Sequence, residues 1–202
     1  MVGLIYNTTM VSEKPDSWSA MWDPKYSGEI LTFNNSRDAF GVAQYLLGYD
    51  VNSTNPDEWR AAEEKLKEQK PLIQSYVMDE VFNKMEAGEA AMAPYYAGDY
   101  LTMKQENDDL AFVYPKEGTN KFVDVMCIPS SSENKKAAEL FINYMCEPEV
   151  ALHNANYLGY LCPVTAVLSD DRYEYKDNEV LYPKQEAVSY THLRAHETTL
   201  HL

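Results

Sequence analysis

The sequence predicts an α/β protein, and three of its features support that prediction. Short apolar runs rich in β-branched and aromatic residues alternate with amphipathic stretches of helical periodicity. Proline, glycine and asparagine mark the boundaries between the two kinds of segment. Of the 202 residues, 45% are hydrophobic and 12% aromatic, which is enough to form a sizeable core.

The first half alternates in this way. Strands are predicted over 2–6 and 29–33. Helix starts are marked by Ser17, by the corner 34–36 and by Asn55-Pro56, because serine and asparagine cap helices and proline fits the first turn. The predicted helices of this half cover 18–22, 37–47, 56–70 and 79–85. An apolar run at 90–93 leads through an aromatic corner at 94–100 into a helix ending near Gln105.

The second half predicts two strands around a turn and then two helices. The strands cover 111–114 and 122–128 and flank the turn 115–118. One helix is capped at 130–132 and runs to Cys146, and its apolar face consists of Ala137, Leu140, Phe141 and Tyr144. Another helix begins at Pro148 and ends at Gly159, and the rest, 161–187, is predicted to be rich in loops.

Composition excludes several classes of protein. The net charge of −15 disfavours nucleic acid as a partner, because such binding needs basic patches, and it favours cations. No run of 18 apolar residues occurs, so no membrane-spanning helix is predicted. Three cysteines without a CxxC pair disfavour a zinc or redox site, and the apolar neighbours of Cys127, Cys146 and Cys162 predict buried free thiols.

Enzyme chemistry is poorly represented. Neither GxSxG, HExxH nor a Walker motif occurs, and His153 is predicted to be a surface residue of a helix. We therefore predict no enzymatic activity, no cofactor and no metal. A hydrolase that uses the acid pair Asp38 and Asp124 is the alternative from a different class, and it lacks an activating motif.

The last fifteen residues, 188–202, contain three of the four histidines: His192, His196 and His201. A histidine-rich tract can bind metal. The segment has no capping residues and joins no core pattern, and it resembles translated adapter sequence. It is therefore interpreted as a tail that is not native or not structured.

Asp124 stands out because it interrupts the apolar run 122–128. A buried carboxylate is costly unless a cation or hydrogen-bond donors meet it. Alternation along a strand also permits a solvated outer face, so the pattern alone leaves both interpretations open. Two further corners after predicted strands, 34–38 and 95–96, combine polar and aromatic residues where α/β proteins bind ligands.

Four blocks of the sequence resemble the spermidine/putrescine-binding proteins of bacterial polyamine ABC transporters. They are SWSAMWDPKYSGEILTFNNSRDAFGVAQYLLGYD, KMEAGEAAMAPYYAGDY, VYPKEGTNKFVDVMCIP and FINYMCEPEVALHNANYLGY. The resemblance extends over about 2–187 and is specific because the four blocks occur together and in order. It implies a type II periplasmic-binding-protein-like fold of two α/β lobes with the ligand between them.

That resemblance also implies a domain map. Residues 1–121 correspond to the second lobe, 122–165 to a crossing strand and the returning part of the first lobe, and 166–187 to a loop-rich return segment. The first lobe is expected to precede Val2 and a final helix to follow about Ala187, so the chain is expected to be truncated at both ends.

The ligand residues that the resemblance implies are Asn35, Asp38, Tyr96, Phe122, Asp124 and Tyr160. Asp38 and Asp124 correspond to acids that bind amine groups, and Asn35 stands where the family has a second acid. Tyr96 and Phe122 stand where tryptophans stack on the methylene chain, and Tyr160 lines the cleft. A phenyl ring in place of indole weakens the cation–π contact.

The implied function is capture of a polyamine, either spermidine or putrescine, for import. The implied partners are the ligand and the ABC permease, and the implied location is extracytoplasmic, in the periplasm or at the cell surface as a lipoprotein. The protein would be peripheral to the membrane through an N-terminal anchor outside this chain. Binding of another small cationic solute is the alternative on the same scaffold.

Overall fold

The computed structural model describes residues 1–184 and has a mixed α/β fold, as the sequence predicts. Its five strands are β1 (Val2–Asn7), β2 (Ile30–Phe33), β3 (Ile73–Val77), β4 (Met92–Tyr96) and β5 (Leu110–Val113). Its α-helices are α1 (Ser36–Leu46), α2 (Pro56–Gln69), α3 (Glu80–Glu86), α4 (Ala97–Glu106), α5 (Lys135–Met145), α6 (Pro148–Leu158) and α7 (Thr165–Leu168). Short 3₁₀ helices cover Trp18–Trp22, Pro24–Tyr26 and Lys70–Leu72.

The strands form one sheet in the order β3-β2-β4-β1-β5. β2 is parallel to β3 and β4, whereas β1 is antiparallel to β4 and β5. All six residues of β1 are buried, and most of them are apolar, with Asn7 as the buried polar exception. β1 therefore lies inside the main core although it comes first in the chain.

Each of the three mutually parallel strands leads into a helix at the same edge of the sheet. β2 leads into α1, β3 into α3 and β4 into α4. The carboxyl ends of parallel strands lie together, and α/β proteins bind ligands at that edge. We refer to it as the strand-end edge.

The caps explain why these helices begin where they do. The Asn35 side chain accepts hydrogen bonds from the backbone N–H groups of Arg37 and Asp38 at 3.0 and 3.5 Å. Asn55 accepts one from the N–H of Asp57 at 3.0 Å, just before Pro56 in the first turn of α2. Both side chains satisfy donors that have no partner within the helix, so both sequence-predicted starts are confirmed.

The aromatic corner predicted over 94–100 is wrong in its first part, because Pro94 and Tyr95 lie within β4. β2 and β4 are in register at Ile30 and Met92, and Pro94 lies two residues beyond that pair. A proline is tolerated in a strand where its missing N–H deprives no neighbour of a hydrogen bond. The strand therefore continues to Tyr96.

The strand predicted over 122–128 is also wrong. Residues 121–129 form no strand in the described chain, and Val123, Val125 and Met126 are exposed. A strand needs a neighbour for its backbone N–H and C=O groups, and no described residue pairs with this segment as a strand. Its alternating apolar residues favour a strand, but residues 1–184 contain no strand that pairs with it.

Helix α5 follows that segment and begins at Lys135, later than the predicted cap at 130–132. None of its residues is buried, so the predicted apolar face is solvent-exposed, with Leu140 62% and Phe141 57% exposed. Helix α6 spans Pro148–Leu158, and Gly159 caps its C-terminal end at φ 65°, where the sequence predicts the helix to stop. Left-handed backbone of this kind favours glycine.

The core has two parts. The larger surrounds the sheet and includes Trp18, Met21 and Met92, all fully buried. The smaller lies around α6 and α7 and includes Leu152, Cys162 and Tyr173. Cys162 is buried as predicted, whereas Cys127 and Cys146 are exposed because they belong to the exposed segment and to the end of α5.

No helix within residues 1–184 is long and apolar enough to cross a membrane. The histidines at 192, 196 and 201 lie outside the described residues.

Candidate functional site

A pocket of about 410 Å³ opens at the strand-end edge. We call it the strand-end pocket. Its lining contains four carboxylates, from Asp38, Asp79, Asp99 and Asp124. It also contains four aromatic rings, from Tyr95, Tyr96, Phe122 and Tyr160. Arg37, Met78 and Asn120 complete the lining.

Five of the six sequence-predicted site residues meet in this pocket: Asp38, Tyr96, Phe122, Asp124 and Tyr160. The sixth, Asn35, is not among the lining residues. Its Nδ2 donates a 3.1 Å hydrogen bond to Oδ2 of Asp38, while its Oδ1 caps α1. The structure thus places Asn35 next to a pocket carboxylate rather than in the lining.

Asp38 is the most strongly held carboxylate of the pocket. It is only 8% exposed and accepts hydrogen bonds from three side chains. Tyr96 Oη and Asn35 Nδ2 bind Oδ2 at 2.7 and 3.1 Å, and Asn120 Nδ2 binds Oδ1 at 3.2 Å. All three donors are neutral, so they orient the carboxylate and leave its negative charge uncompensated.

Asn120 reaches Asp38 because a network of bonds fixes the loop before it. The backbone N–H of Val2 donates a 3.1 Å hydrogen bond to the carbonyl oxygen of Asn120. The Tyr45 hydroxyl donates a 2.7 Å hydrogen bond to the carbonyl of Thr119, and the Thr119 hydroxyl donates to the carbonyl of Val2. The loop is therefore tied to both β1 and α1.

The aromatic residues of the pocket pack against one another. The rings of Tyr95 and Tyr96 lie 4.9 Å apart, and Phe122 meets Tyr96 edge-on at 5.2 Å. Burial raises the pKa of Tyr95 to about 12. Burial and the hydrogen bond to Asp38 raise the pKa of Tyr96 well above its ordinary value, so its hydroxyl remains a neutral donor at physiological pH.

Asp99 and Tyr160 form a second hydrogen-bonded pair. Tyr160 Oη donates a 2.8 Å hydrogen bond to Oδ1 of Asp99. Burial raises the pKa of Tyr160, and the neighbouring Asp99 carboxylate raises it further. Burial also raises the pKa of Asp99, although the hydrogen bond from Tyr160 opposes the shift.

The pocket as a whole is negatively charged. Four carboxylates face one guanidinium, that of Arg37. Within residues 1–184, none of the four carboxylates forms an ion pair. A site with this charge and with aromatic walls can bind a cation through its carboxylates and apolar groups through its rings.

Sequence reasoning missed Asp79, Asp99 and Asn120. A local signal existed for Asp99, because it lies in the first turn of a helix that follows a strand, as Asp38 does. Asn120 gave no such signal. Its role depends on contacts with residues more than 80 positions away.

The mixed sheet with acidic and aromatic residues at its strand ends is similar to the fold of bacterial solute-binding proteins. The chain belongs to the bacterial extracellular solute-binding protein family, whose sequence model matches residues 1–181. The family's description agrees with the predicted extracytoplasmic location, and it names solute binding rather than catalysis.

Particular relatives are similar over most of the chain. The spermidine/putrescine-binding periplasmic protein of Salmonella typhimurium is 32% identical over 173 residues, which cover 86% of this chain and 50% of that protein. The Escherichia coli protein of the same name is 31% identical over 172 residues, covering 85% and 49%. The chain thus spans about half the length of these curated relatives.

Solved structures of spermidine/putrescine transport proteins are also similar to this chain. A spermidine/putrescine ABC transporter protein from Listeria monocytogenes is 34% identical, with a TM-score of 0.85, and the match covers 95% of this chain and 61% of that one. The spermidine/putrescine substrate-binding protein of Streptococcus pneumoniae is 33% identical, with a TM-score of 0.79 and coverage of 94% and 59%. The predicted solute-binding-protein fold and the resemblance are confirmed.

Proposed function

We propose that this chain forms part of the substrate-binding component of a polyamine ABC importer. The observation that carries the proposal is the strand-end pocket, whose lining combines four carboxylates and one guanidinium with four aromatic rings. The names of the relatives described above support the same ligand class. The chemistry of the pocket suits a ligand with several positive charges.

The carboxylates supply the electrostatic part of the binding. An ammonium group in contact with a carboxylate gains about 4 kcal/mol by Coulomb's law at an effective dielectric near 20, before desolvation is counted. Asp38 is suited to this because its neutral donors hold it in place without neutralising it. Asp124, exposed at the pocket rim, supplies a carboxylate that can approach a second amine.

The aromatic rings supply the apolar part. The methylene spacers of a polyamine can lie against ring faces, and each cation–π contact adds roughly 0.5–2 kcal/mol. Tyr96 and Phe122 offer such faces in the pocket, and Tyr160 offers a third. Spermidine and putrescine share this pattern of charges and spacers, so the proposal covers both.

We further propose the domain map given above. Residues 1–121 act as one lobe, 122–165 as the crossing segment with part of the other lobe, and 166–187 as a return segment. The uncovered apolar residues of α5 support this map, because such a face is expected to pack against further protein. The complete protein closes over its ligand, delivers it to a membrane permease and is held at the membrane by an N-terminal anchor.

Calorimetric titration of the full-length protein with spermidine and putrescine tests the ligand class. Asp38→Asn should weaken binding of both by at least about tenfold, a loss of about 1.4 kcal/mol. Asp108→Asn is the matched control, since Asp108 is exposed and lies outside the pocket. If neither polyamine binds while another small cation does, the polyamine assignment is wrong.

A further inference from the structure

The strand-end pocket is built from two parts of the chain that are held in different ways. Asp38 lies in α1 and Tyr96 ends β4, so both belong to regular elements of the sheet layer. Phe122 and Asp124 belong to residues 121–128, which form no helix or strand and, within the described chain, make no backbone–backbone hydrogen bond. Their position relative to Asp38 therefore depends on how the chain is held just before residue 121.

Thr119 and Asn120 hold the chain at that point, and we call these two residues the tether. The Tyr45 hydroxyl donates a 2.7 Å hydrogen bond to the carbonyl oxygen of Thr119, and the N–H of Val2 donates one of 3.1 Å to the carbonyl oxygen of Asn120. Thr119 is only 1% exposed, and its hydroxyl donates to the carbonyl of Val2. The tether is thus fixed to α1 and β1 before the chain leaves them.

The side chain of Asn120 joins this anchor to the pocket. Its Nδ2 donates a 3.2 Å hydrogen bond to Oδ1 of Asp38. Phe122 and Asp124 follow two and four residues later in the chain. Because an extended residue advances the backbone by at most about 3.6 Å, the backbone of Asp124 stays within roughly 14 Å of Asn120. The tether therefore limits the separation between the carboxylates of Asp38 and Asp124.

That separation matters for a ligand with two ammonium groups. A linear diamine meets both carboxylates only if its methylene spacer matches the distance between them. In a site that fits its ligand closely, one methylene group more or less changes recognition by roughly 10- to 200-fold. Phe122 also meets Tyr96 edge-on at 5.2 Å, but apolar contact is not directional, so the hydrogen-bonded tether is the more restrictive of the two contacts.

We propose that the tether, through Asn120, determines which spacer length the pocket prefers. Asn120 is a positioning residue that acts through Asp38 and through the segment that follows it, and Tyr45 supports the tether from outside the pocket lining. The proposal rests on the proposed function and deepens it, because it names spacer length as the property that the pocket distinguishes. The ligands in question are linear diamines and polyamines.

Calorimetric titration of the full-length protein with putrescine and cadaverine, which differ by one methylene group, tests the proposal. The readout is the ratio of the two affinities. Asn120→Leu removes the amide donor but keeps a similar side-chain volume, and it should change the ratio by at least about threefold. The preferred diamine should lose more affinity than the other, because the spacing that fits it is no longer fixed.

The ratio separates this role from a merely structural one. A substitution that only lowers the folded or binding-competent fraction reduces both affinities by the same factor. A loss confined to the Asp38 contact also does so, because both diamines place the same ammonium group there. An unchanged ratio in Asn120→Leu therefore overturns the proposal, even if both affinities fall.

Tyr45→Phe loosens the tether from a second direction. It removes the hydroxyl that binds Thr119, and Tyr45 is not among the lining residues of the strand-end pocket. The ratio should change in the same direction as in Asn120→Leu, and this variant decides alone if Asn120→Leu does not fold. A wild-type ratio in Tyr45→Phe would contradict the role of the tether.

Asn52→Leu is the matched control. Asn52 is exposed and lies outside the pocket lining, yet its Nδ2 also donates to an aspartate, Oδ1 of Asp50 at 3.3 Å. Both affinities should stay at their wild-type values. A ratio that shifts equally in Asn52→Leu would overturn the proposal.

The wild-type protein separates failure of this proposal from failure of the proposed function. Equal wild-type affinities for putrescine and cadaverine would mean that the pocket has no spacer preference, which refutes the role of the tether and leaves polyamine binding intact. Failure of the wild-type protein to bind putrescine, cadaverine or spermidine would refute the proposed function itself, and the role of the tether with it.

Discussion

The hydroxyl of Tyr96 donates a 2.7 Å hydrogen bond to Oδ2 of Asp38, across 58 positions of sequence. The bond joins the end of β4 to the first turn of α1. It thereby connects two neighbouring strand ends of the sheet and fixes the orientation of a buried carboxylate. A carboxylate of the proposed ligand site thus also connects two secondary-structure elements of the fold.

Tyr96→Phe should therefore lower the stability of the unliganded protein while keeping the ring. The substitution removes one donor from a buried charged acceptor, which costs about 1 to 2 kcal/mol of unfolding free energy. Urea denaturation measures the change. Tyr157→Phe is the matched control, since Tyr157 is 83% exposed, and it should leave the unfolding midpoint unchanged. Equal midpoints for both variants would contradict a structural role for the bond.

Asp124→Asn should weaken polyamine binding by the full-length protein at least about tenfold, because it removes one of the pocket carboxylates that we propose to bind a ligand amine. Asp124 is exposed and accepts no hydrogen bond from residues 1–184, so folding stability should not change. Calorimetry measures the affinity, and Asp108→Asn controls for the change in net charge. Unchanged affinity would refute the role given to Asp124.

Local sequence patterns could predict much of this fold and some of the residues of the candidate site. Helix caps such as Asn35 and Asn55 act over two or three residues, so the sequence displays them directly. The position of Asp38 after a strand is likewise local. The resemblance then supplied Tyr96, Phe122 and Tyr160, which the structure brings into one pocket.

The remaining features depend on distant partners and could not be predicted. Residues 122–128 have the composition of a strand, yet strand formation requires a neighbour that residues 1–184 do not provide. The pairing of Asp99 with Tyr160 spans 61 positions and depends on the absence of a side chain at Gly98. Neither the missing partner strand nor the contact between Asp99 and Tyr160 produces a periodic pattern in the neighbouring sequence.

Gly98→Ala should damage the site. The added methyl group would lie 2.3 Å from the Tyr160 ring, so the ring must move and its hydrogen bond to Asp99 must break. Gly41→Ala is a well-matched control, because Gly41 also lies in a helix and its nearest neighbour would be Val51 Cγ1 at 3.9 Å. There, the gain in helix propensity should stabilise the protein by about 0.5–1 kcal/mol.

Thermal unfolding and polyamine titration measure both glycine variants. Gly98→Ala is expected to lower the melting temperature and weaken binding, whereas Gly41→Ala should raise the melting temperature and leave binding unchanged. Wild-type affinity in Gly98→Ala would contradict the importance of the Tyr160 position.

Asp99→Asn should stabilise the unliganded chain at neutral pH. Burial raises the pKa of Asp99 in the folded state, the nearby Asp79 carboxylate acts in the same direction, and Tyr160 and the amino group of Met1 oppose the shift. A carboxyl group whose pKa is raised on folding destabilises the fold when it is ionised. That cost is present at pH values above the folded-state pKa and is lost as the pH falls below the unfolded-state value.

Asp99→Asn should therefore have a larger free energy of unfolding than wild type at neutral pH. This advantage should shrink as the solution is acidified. Urea denaturation of both proteins across that pH range measures it. A variant that is less stable than wild type at neutral pH would show that Asp99 is a structural residue, contrary to the sign expected here.

Phe141→Ser should reduce self-association of the 202-residue chain alone, but it should lower the stability of the full-length protein. In the chain, Leu140, Phe141 and Tyr144 form an exposed apolar face on α5, and such faces promote association. The substitution should therefore reduce self-association of the chain, measured by sedimentation velocity.

If the proposed domain map is right, the same face is covered in the full-length protein, where losing a buried phenylalanine side chain costs about 3 kcal/mol or more. Tyr157→Ser, which also replaces an exposed aromatic residue, is the control for solubility. Equal stability of wild type and Phe141→Ser in the full-length protein would mean that nothing packs on α5 and that the domain map is wrong.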